Sequence, residues 1–364
     1  MSDVLVLGGG IVGCAVAYEL TRRGASVAVV ERRGIGLGAS QASAGMLVPF
    51  TEGRHDLLMQ ALGAKGLEAY DALMRDVDEE AVGYSRTGSL DVALDASGAT
   101  SLRETARSLT RDGIAHEYVD GAAARSLVPA LAARVTAALR IDAHGAVGVP
   151  ELTHELWRMA SAGGARLIEA TVHGVASHPG GVGVDASAGS LQARHVVLAA
   201  GCWSAAVDIE GAPALPIRPV RGQLLVLRDL PLPVKQSIWG PRCYLVPRPG
   251  GVLLVGATVE DAGFDERATA AGARHLLEAA CDLVPQASAA SFGEMRVGLR
   301  PASPDDRPLI GPSSRIDGLV YATGHYRNGA LLAPLTAQMV ADAIEGRAAD
   351  PLLLQCAAQR FGSY

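Results

Sequence analysis

The chain has 364 residues and carries 32 Lys and Arg against 38 Asp and Glu, a formal charge of −6. It therefore lacks the basic surplus that nucleic-acid binding draws on. Hydrophobic residues make up 49% and charged residues 19%, which excludes intrinsic disorder and supplies apolar side chains for one or two packed cores.

The five cysteines are scattered, with no CxxC pair and no cysteine–histidine cluster, so neither a disulfide framework nor a structural zinc site is expected. No apolar run approaches the ~18 residues that a bilayer-crossing helix needs. The expectation is a soluble cytoplasmic protein with no leader and no membrane contact.

Val4–Leu7 reads as a short buried parallel strand. Gly8-Gly9-Gly10-Ile11-Val12-Gly13 follows, then a helix over Ala15–Arg22 closed by Gly24, then a strand over Ser26–Val30 that ends at Glu31. That order is what a dinucleotide site requires. Gly8 makes the tight turn, Gly10 lets the backbone approach a pyrophosphate, and Gly13 lets the helix pack on the strand. The helix N-terminus faces the phosphates, and Glu31 can accept bonds from ribose hydroxyls. After Arg32 comes a run of small residues that includes Ala39, Ser40, Ala44 and Gly45 and leads to Met46. Such a run can wrap an extended cofactor, and it suits FAD better than NAD. A surface loop is the plainer reading, but Met46-Leu47-Val48-Pro49 re-enters apolar sequence.

Residues 57–83 carry helical spacing, and Gly88–Leu94 alternates as a half-buried strand. Leu102–Leu109 and Gly121–Leu127 read as helices, and another helix begins within His144–Leu152 and runs to Ala162. Thr171–Val175, Val182–Asp185 and Leu191–Arg194 read as short strands. Val196–Gly201 reads as a separate buried strand whose terminal Gly201 would sit near the cofactor. Leu224–Leu227, Cys243–Val246 and Val252–Gly256 read as strands of a second, mostly antiparallel sheet, with Gly251 turning a hairpin. Helix resumes over Arg267–Leu283. A third glycine-ended strand covers Gly318–Gly324, and a helix covers Asn328–Ile344. The expected fold is α/β: a Rossmann-type FAD-binding domain in three blocks (1–83, 142–210 and 300–364) with a mostly antiparallel substrate-binding domain inserted as 84–141 and 211–299.

Three further segments are Cys243-Tyr244-Leu245-Val246-Pro247-Arg248, Val297-Gly298-Leu299-Arg300-Pro301 with Pro308-Leu309-Ile310-Gly311, and Gly324-His325-Tyr326-Arg327-Asn328-Gly329-Ala330-Leu331-Leu332-Ala333-Pro334. With the N-terminal glycines and Ala44-Gly45-Met46-Leu47, they resemble the D-amino-acid-oxidase superfamily of flavoproteins over essentially the whole chain. The last segment is similar to that of the glycine oxidases of thiamine biosynthesis, most of which carry Phe at the position of Tyr326. The resemblance implies oxidative deamination of a small amino acid, with FAD as hydride acceptor and oxygen as reoxidant, giving an imine or glyoxylate, ammonia and hydrogen peroxide.

By the same resemblance Arg300 and Arg327 fall at the substrate carboxylate, which a planar guanidinium pairs well, and Tyr244 supplies an orienting hydroxyl. FAD contacts are implied at Ile11, Val12, Glu31, Arg32, Ala39, Ser40 and Ala44–Met46, at Val172 through its backbone, and over His325, Tyr326, Arg327, Asn328, Gly329, Ala330 and Leu331. The helix after Gly329 would aim its N-terminus at the flavin. His325 fits a cofactor contact better than a base, and no motif residue need take the Cα proton if hydrogen leaves as hydride. Relatives with covalent flavin use a Cys shortly after the Arg300 region; Pro301–Ile310 has none, so FAD should be noncovalent.

Val259 and Arg242 replace Met and His of a relative, so a D-amino-acid or N-methylamino-acid (sarcosine, D-proline) oxidase or dehydrogenase stays open, as does a nonenzymatic flavin-binding regulator. Relatives suggest a homotetramer.

Overall fold

Ser2–Leu7 sits at the centre of a parallel arrangement because four consecutive apolar residues leave it no wet face: Val4, Leu5, Val6 and Leu7 are all buried. In the computed structural model, which describes residues 2–53, 56–231 and 234–364, this strand is flanked in parallel by Val27–Glu31 and by Gly189–Leu198. Arg166–Glu169 extends the sheet beyond Val27–Glu31, and Leu319–Thr323 pairs with Gly189–Leu198, both in parallel. An antiparallel meander of Val172–His178, Gly181–Ala186 and Gly189–Leu198 is continuous with it. The short strand Asp208–Ile209 and the strand Leu309–Pro312 complete the nine that are present among the described residues.

One face of this sheet is covered by the helix Ile11–Arg22, which packs with Val149–Ala162 and Gly329–Ile344 into one apolar core. The second sheet has eight strands among the described residues, in the spatial order Ser291–Ala302, Arg218–Arg228, Val252–Gly256, Tyr244–Arg248, Ser237–Trp239, Ser89–Ala93, Ala137–Ile141 and His116–Asp120. Neighbours are antiparallel except Ser237–Trp239 with Ser89–Ala93. The helix Ala270–Leu283 packs on this sheet, with Leu276, Ala279, Ala280 and Leu283 buried. Among the described residues no helix is long and apolar enough to cross a membrane.

Several expectations need correction. The helix read over 57–83 ends at Leu73. Beyond it, Asp78 Oδ1 accepts from the backbone N–H groups of Glu80 and Ala81, a local bond that competes with helix continuation. Leu191–Arg194 and Val196–Gly201 are not two strands: Gly189–Leu198 is one. Its first half has a wet face and pairs antiparallel, and its second half is buried and pairs in parallel. The change of burial within one strand reads, in sequence, as a break. Ser291–Ala302, Ala137–Ile141 and His116–Asp120 are strands that the pattern did not announce.

The helix Gly329–Ile344 contains Pro334, which has no N–H to give to the carbonyl of Ala330. Tyr70, fully buried on the helix Leu57–Leu73, fills that gap: its hydroxyl donates to Ala330 O at 2.8 Å. Replacing Tyr70 by Phe should therefore strand a buried acceptor. We expect a loss of about 1–3 kcal/mol, read as a lower urea midpoint with an unchanged slope.

Candidate active site

A cavity of about 600 Å³ lies where the parallel strands end in glycine, the position at which open α/β sheets bind ligands. Its walls take Leu7 and Gly8, Val30 and Glu31, Ala199–Gly201, and Ala322 and Thr323 from the first sheet. Tyr244, Gly222, Gly256 and Arg300 come from the second sheet.

The nucleotide end follows from close backbone contact. Gly8 has φ +115°, and a Cβ there would lie 2.5 Å from the carbonyl oxygen of Ala199. A Cβ on Gly13 would lie 1.9 Å from the Gly8 carbonyl oxygen, so the helix Ile11–Arg22 can press on the strand only with glycine at that position. The N-cap of that helix is Gly10, which offers no side chain, while Ile11 N–H donates to Ser40 Oγ at 2.9 Å. Glu31 accepts from Gly9 N–H at 2.8 Å and from Arg33 N–H at 2.7 Å. Arg32 stacks its guanidinium over Trp203, 4.6 Å from the ring centroid. A second uncapped helix N-terminus, at Asn328–Gly329, reaches the opposite part of the wall. Two helix ends without N-cap side-chain bonds, an acidic ribose-type acceptor and a glycine-lined groove between them fit an anionic dinucleotide such as FAD.

Glycines also make room at the other end. The Arg300 guanidinium lies across Gly222, where an added Cβ would fall 2.4 Å from its carbon and both terminal nitrogens. Tyr244 is the cross-strand partner of Gly256 and lays its ring over it. Arg300 Nη1 donates to Thr258 O at 3.0 Å. Burial pushes the Tyr244 phenol up, against the pull of Arg300, so it is a protonated donor at neutral pH. Arg327 enters from the loop before Gly329–Ile344. Its neighbour Tyr326 holds φ +47° and gives its N–H to Pro301 O. Arg327 Nη1 stands 3.8 Å from Glu52 Oε1.

The structure thus brings the expected residues Gly8, Gly10, Ile11, Val12, Glu31, Arg32, Ala39, Ser40, Ala44, Gly45, Met46, Val172, Gly201, Tyr244, Arg300, His325, Tyr326, Arg327, Gly329 and Ala330 to one cavity. Gly13, Asn328 and Leu331 are not in its wall. Gly13 is taken up by helix–strand packing, and Leu331 packs its side chain in the core against Gly63. His325 bonds Thr336 Oγ1 through Nε2 at 2.9 Å, and burial pulls its pKa down to about 4, so it is a neutral, structurally engaged imidazole. Both Val259 and Arg242 line the cavity.

Sequence reasoning missed Glu52, Trp203, Gly222 and Gly256, and no motif marks them. It also missed the role of Arg248, which holds the Ala44–Gly45 loop by donating to Ala44 O at 2.6 Å, to Gly83 O at 3.2 Å and to Val147 O.

A family model described as FAD dependent oxidoreductase (DAO) matches residues 3–343. Glycine oxidase of Geobacillus kaustophilus is 35% identical over 357 residues, which cover 94% of this chain and 93% of that protein. The bifunctional protein ThiO/ThiG of Nostoc sp. is 36% identical over 361 residues, 96% of this chain and 54% of that protein; this chain spans about half the length of that relative. Among solved structures, glycine oxidase from Geobacillus kaustophilus superposes with a TM-score of 0.93 at 32% identity, covering 99% of this chain and 98% of that one. Iminodiacetate oxidase from Chelativorans sp. BNC1 superposes with a TM-score of 0.88 at 27% identity, covering 97% and 98%.

Gly222→Ala should force the Arg300 tip aside without unfolding the sheet, because the clash is with a side-chain end. Losing a charge-assisted bond of about 1.5–3 kcal/mol corresponds to roughly 10–100-fold weaker binding of a small carboxylate such as glycolate. An absorption titration of the flavin, beside an unchanged far-UV CD spectrum, measures this.

Proposed function

This chain belongs to the FAD dependent oxidoreductase (DAO) family, and from that premise we propose that it oxidises glycine to its imine, released as glyoxylate and ammonia, with oxygen reduced to hydrogen peroxide. The observation that carries the reading is the convergence of Arg300, Tyr244 and Arg327 at one end of the cavity whose other end is the dinucleotide groove. The glycine oxidases at similar length support the substrate, and the ThiO/ThiG relatives support a supply of dehydroglycine to thiamine thiazole synthesis.

Bound FAD supplies the two-electron acceptor. Gly8, Gly10, Ile11, Val12 and Ser40 would hold its pyrophosphate, Glu31 and Arg32 its adenosine end, and Ala44–Met46 with His325, Tyr326, Arg327, Gly329 and Ala330 its ring end. Arg300 and Arg327 pair with the substrate carboxylate from two sides, and the Tyr244 hydroxyl donates to it. Fixing those atoms fixes where the Cα–H bond points, so the chain contributes mainly positioning. The cysteines in the wall, Cys202 and Cys243, are buried, and each thiol is pushed up to about 12. Neither offers a thiolate to a flavin ring, which supports noncovalently held FAD.

The domain division into 1–83, 142–210 and 300–364 against 84–141 and 211–299 belongs to the same proposal. In its support, every strand of the first sheet falls in the first set. Every strand of the second sheet falls in the other set, save the last residues of Ser291–Ala302.

One observation favours a wider substrate range. Val259, a short side chain 53% exposed, lines the cavity, and a short side chain there suits a substrate with an N-methyl group or a D-side chain as well as glycine. Anaerobic titration with glycine should bleach the flavin, and steady-state rates with glycine, sarcosine, D-alanine and D-proline then rank the substrates. Fast D-proline turnover beside negligible glycine turnover overturns the choice of glycine. Arg327→Ala should keep bound, yellow FAD and lose most turnover, whereas a regulator would have no turnover to lose.

A further inference from the structure

We propose that Glu52 takes a proton from the ammonium group of the bound amino acid, leaving the neutral amine from which the Cα hydrogen can depart as hydride. The inference rests on the amino-acid-oxidising reading of the cavity. Among the described residues, the acids in the cavity wall are Glu31 and Glu52. Glu31 is engaged by the Gly9 and Arg33 amides at the nucleotide end. That leaves Glu52 as the carboxylate beside Arg300, Tyr244 and Arg327, where a zwitterion's nitrogen, one carbon from its carboxylate, must find an acceptor.

The geometry favours such a role. Glu52 has its side chain 16% exposed, and it lines the cavity. Its ion pair with Arg327 spans 3.8 Å, longer than a hydrogen bond, so its oxygens keep lone pairs for a donor inside the cavity.

The turn Pro49–Glu52 that carries it is fastened from behind. Thr51 Oγ1 donates to Asp91 Oδ2 at 2.8 Å, and Phe50 N–H donates to His144 Nε2 at 3.3 Å. The Phe50 ring stacks on His144, and His144 Nδ1 bonds Ser89 Oγ at 2.8 Å. Burial draws His144 down to about 3, so this anchor stays neutral.

The groups facing Glu52 are the cations Arg327 and Arg300 and the neutral Tyr244, with His144 and Asp91 behind the turn. Burial raises the Glu52 pKa and the two arginines oppose it. A substrate carboxylate arriving between those arginines cancels much of their field on Glu52, so substrate binding itself makes Glu52 more basic. In the step, one N–H bond breaks and one Oε–H bond forms. No electrons are gained or lost, and the nitrogen lone pair set free is what hydride departure from Cα requires.

The test uses the FAD-loaded protein as wild type, Glu52→Gln and Glu52→Asp, with two readouts. One is the rate of flavin reduction by glycine from neutral to alkaline pH. The other is the affinity for glycolate, which has the carboxylate and no nitrogen. We expect Glu52→Gln to slow reduction at neutral pH by about 10²–10⁴-fold and to recover rate as pH rises and free amine accumulates in solution. Glycolate should bind as well or more tightly, because a buried negative charge beside it is gone. Glu52→Asp should fall between, and it carries the test if the glutamine variant does not fold.

The inference is overturned if Glu52→Gln stays within about threefold of wild type with the same pH profile. It is also overturned if glycine and glycolate weaken together, which is the signature of a residue that only orients Arg327. A wild-type protein that no small amino acid reduces overturns the parent reading, and this inference falls with it.

Discussion

Close backbone approach at the first βα turn is the constraint from which the rest of the molecule follows. The helix Ile11–Arg22 lies so near the strand Ser2–Leu7 that a side chain at Gly13 would enter the Gly8 carbonyl. This proximity delivers a helix N-terminus without an N-cap side chain to the end of the sheet, where Ser40 Oγ takes the Ile11 N–H and the partial positive charge of the first turn faces the cavity. The same helix, once seated, forms the surface on which Val149–Ala162 and Gly329–Ile344 pack. The second of these brings another uncapped N-terminus to the same cavity. One steric concession thus builds both polar ends of the cofactor groove.

The second sheet solves a different problem, that of presenting long charged and aromatic side chains flat along a wall. It does so by subtraction. Gly222 and Gly256 remove Cβ atoms where the Arg300 guanidinium and the Tyr244 ring must lie, and the antiparallel register sets Tyr244 opposite Gly256. A strand glycine ordinarily weakens a sheet; here the neighbouring side chain covers the gap and is itself fixed by doing so. The loss of strand stability is exchanged for a side chain with little freedom to leave the ligand's path.

Charge completes the design. Two arginines at one end of a largely buried cavity favour a carboxylate, and Glu52 keeps that end from holding two unopposed positive charges. Its distance from Arg327, 3.8 Å, is longer than a hydrogen bond and leaves the pair loose. Much of the remaining wall is glycine and aliphatic side chains, with Trp239, Tyr244 and the buried His325 among them, and an apolar lining strengthens the charge interactions inside.

The sequence by itself determined the strand–glycine–helix–strand–acid unit, the glycine-ended strands and the two kinds of sheet, whereas Arg300, Tyr244 and Arg327 were singled out through a resemblance to a known family. The first three are written in local spacing and local chemistry: a turn that only glycine can make and a short run apolar on every face. Only the tertiary structure decided that Gly189–Leu198 is one strand serving two pairings, that Ser291–Ala302 is a strand at all, and that Glu52, Gly222 and Gly256 belong to the site. The reason is physical. A strand's partner and a glycine's missing Cβ acquire meaning from atoms tens to hundreds of residues away, and Glu52 lines the cavity on a turn that Thr51 and Phe50 tie to Asp91 and His144. No periodicity in the chain records those contacts.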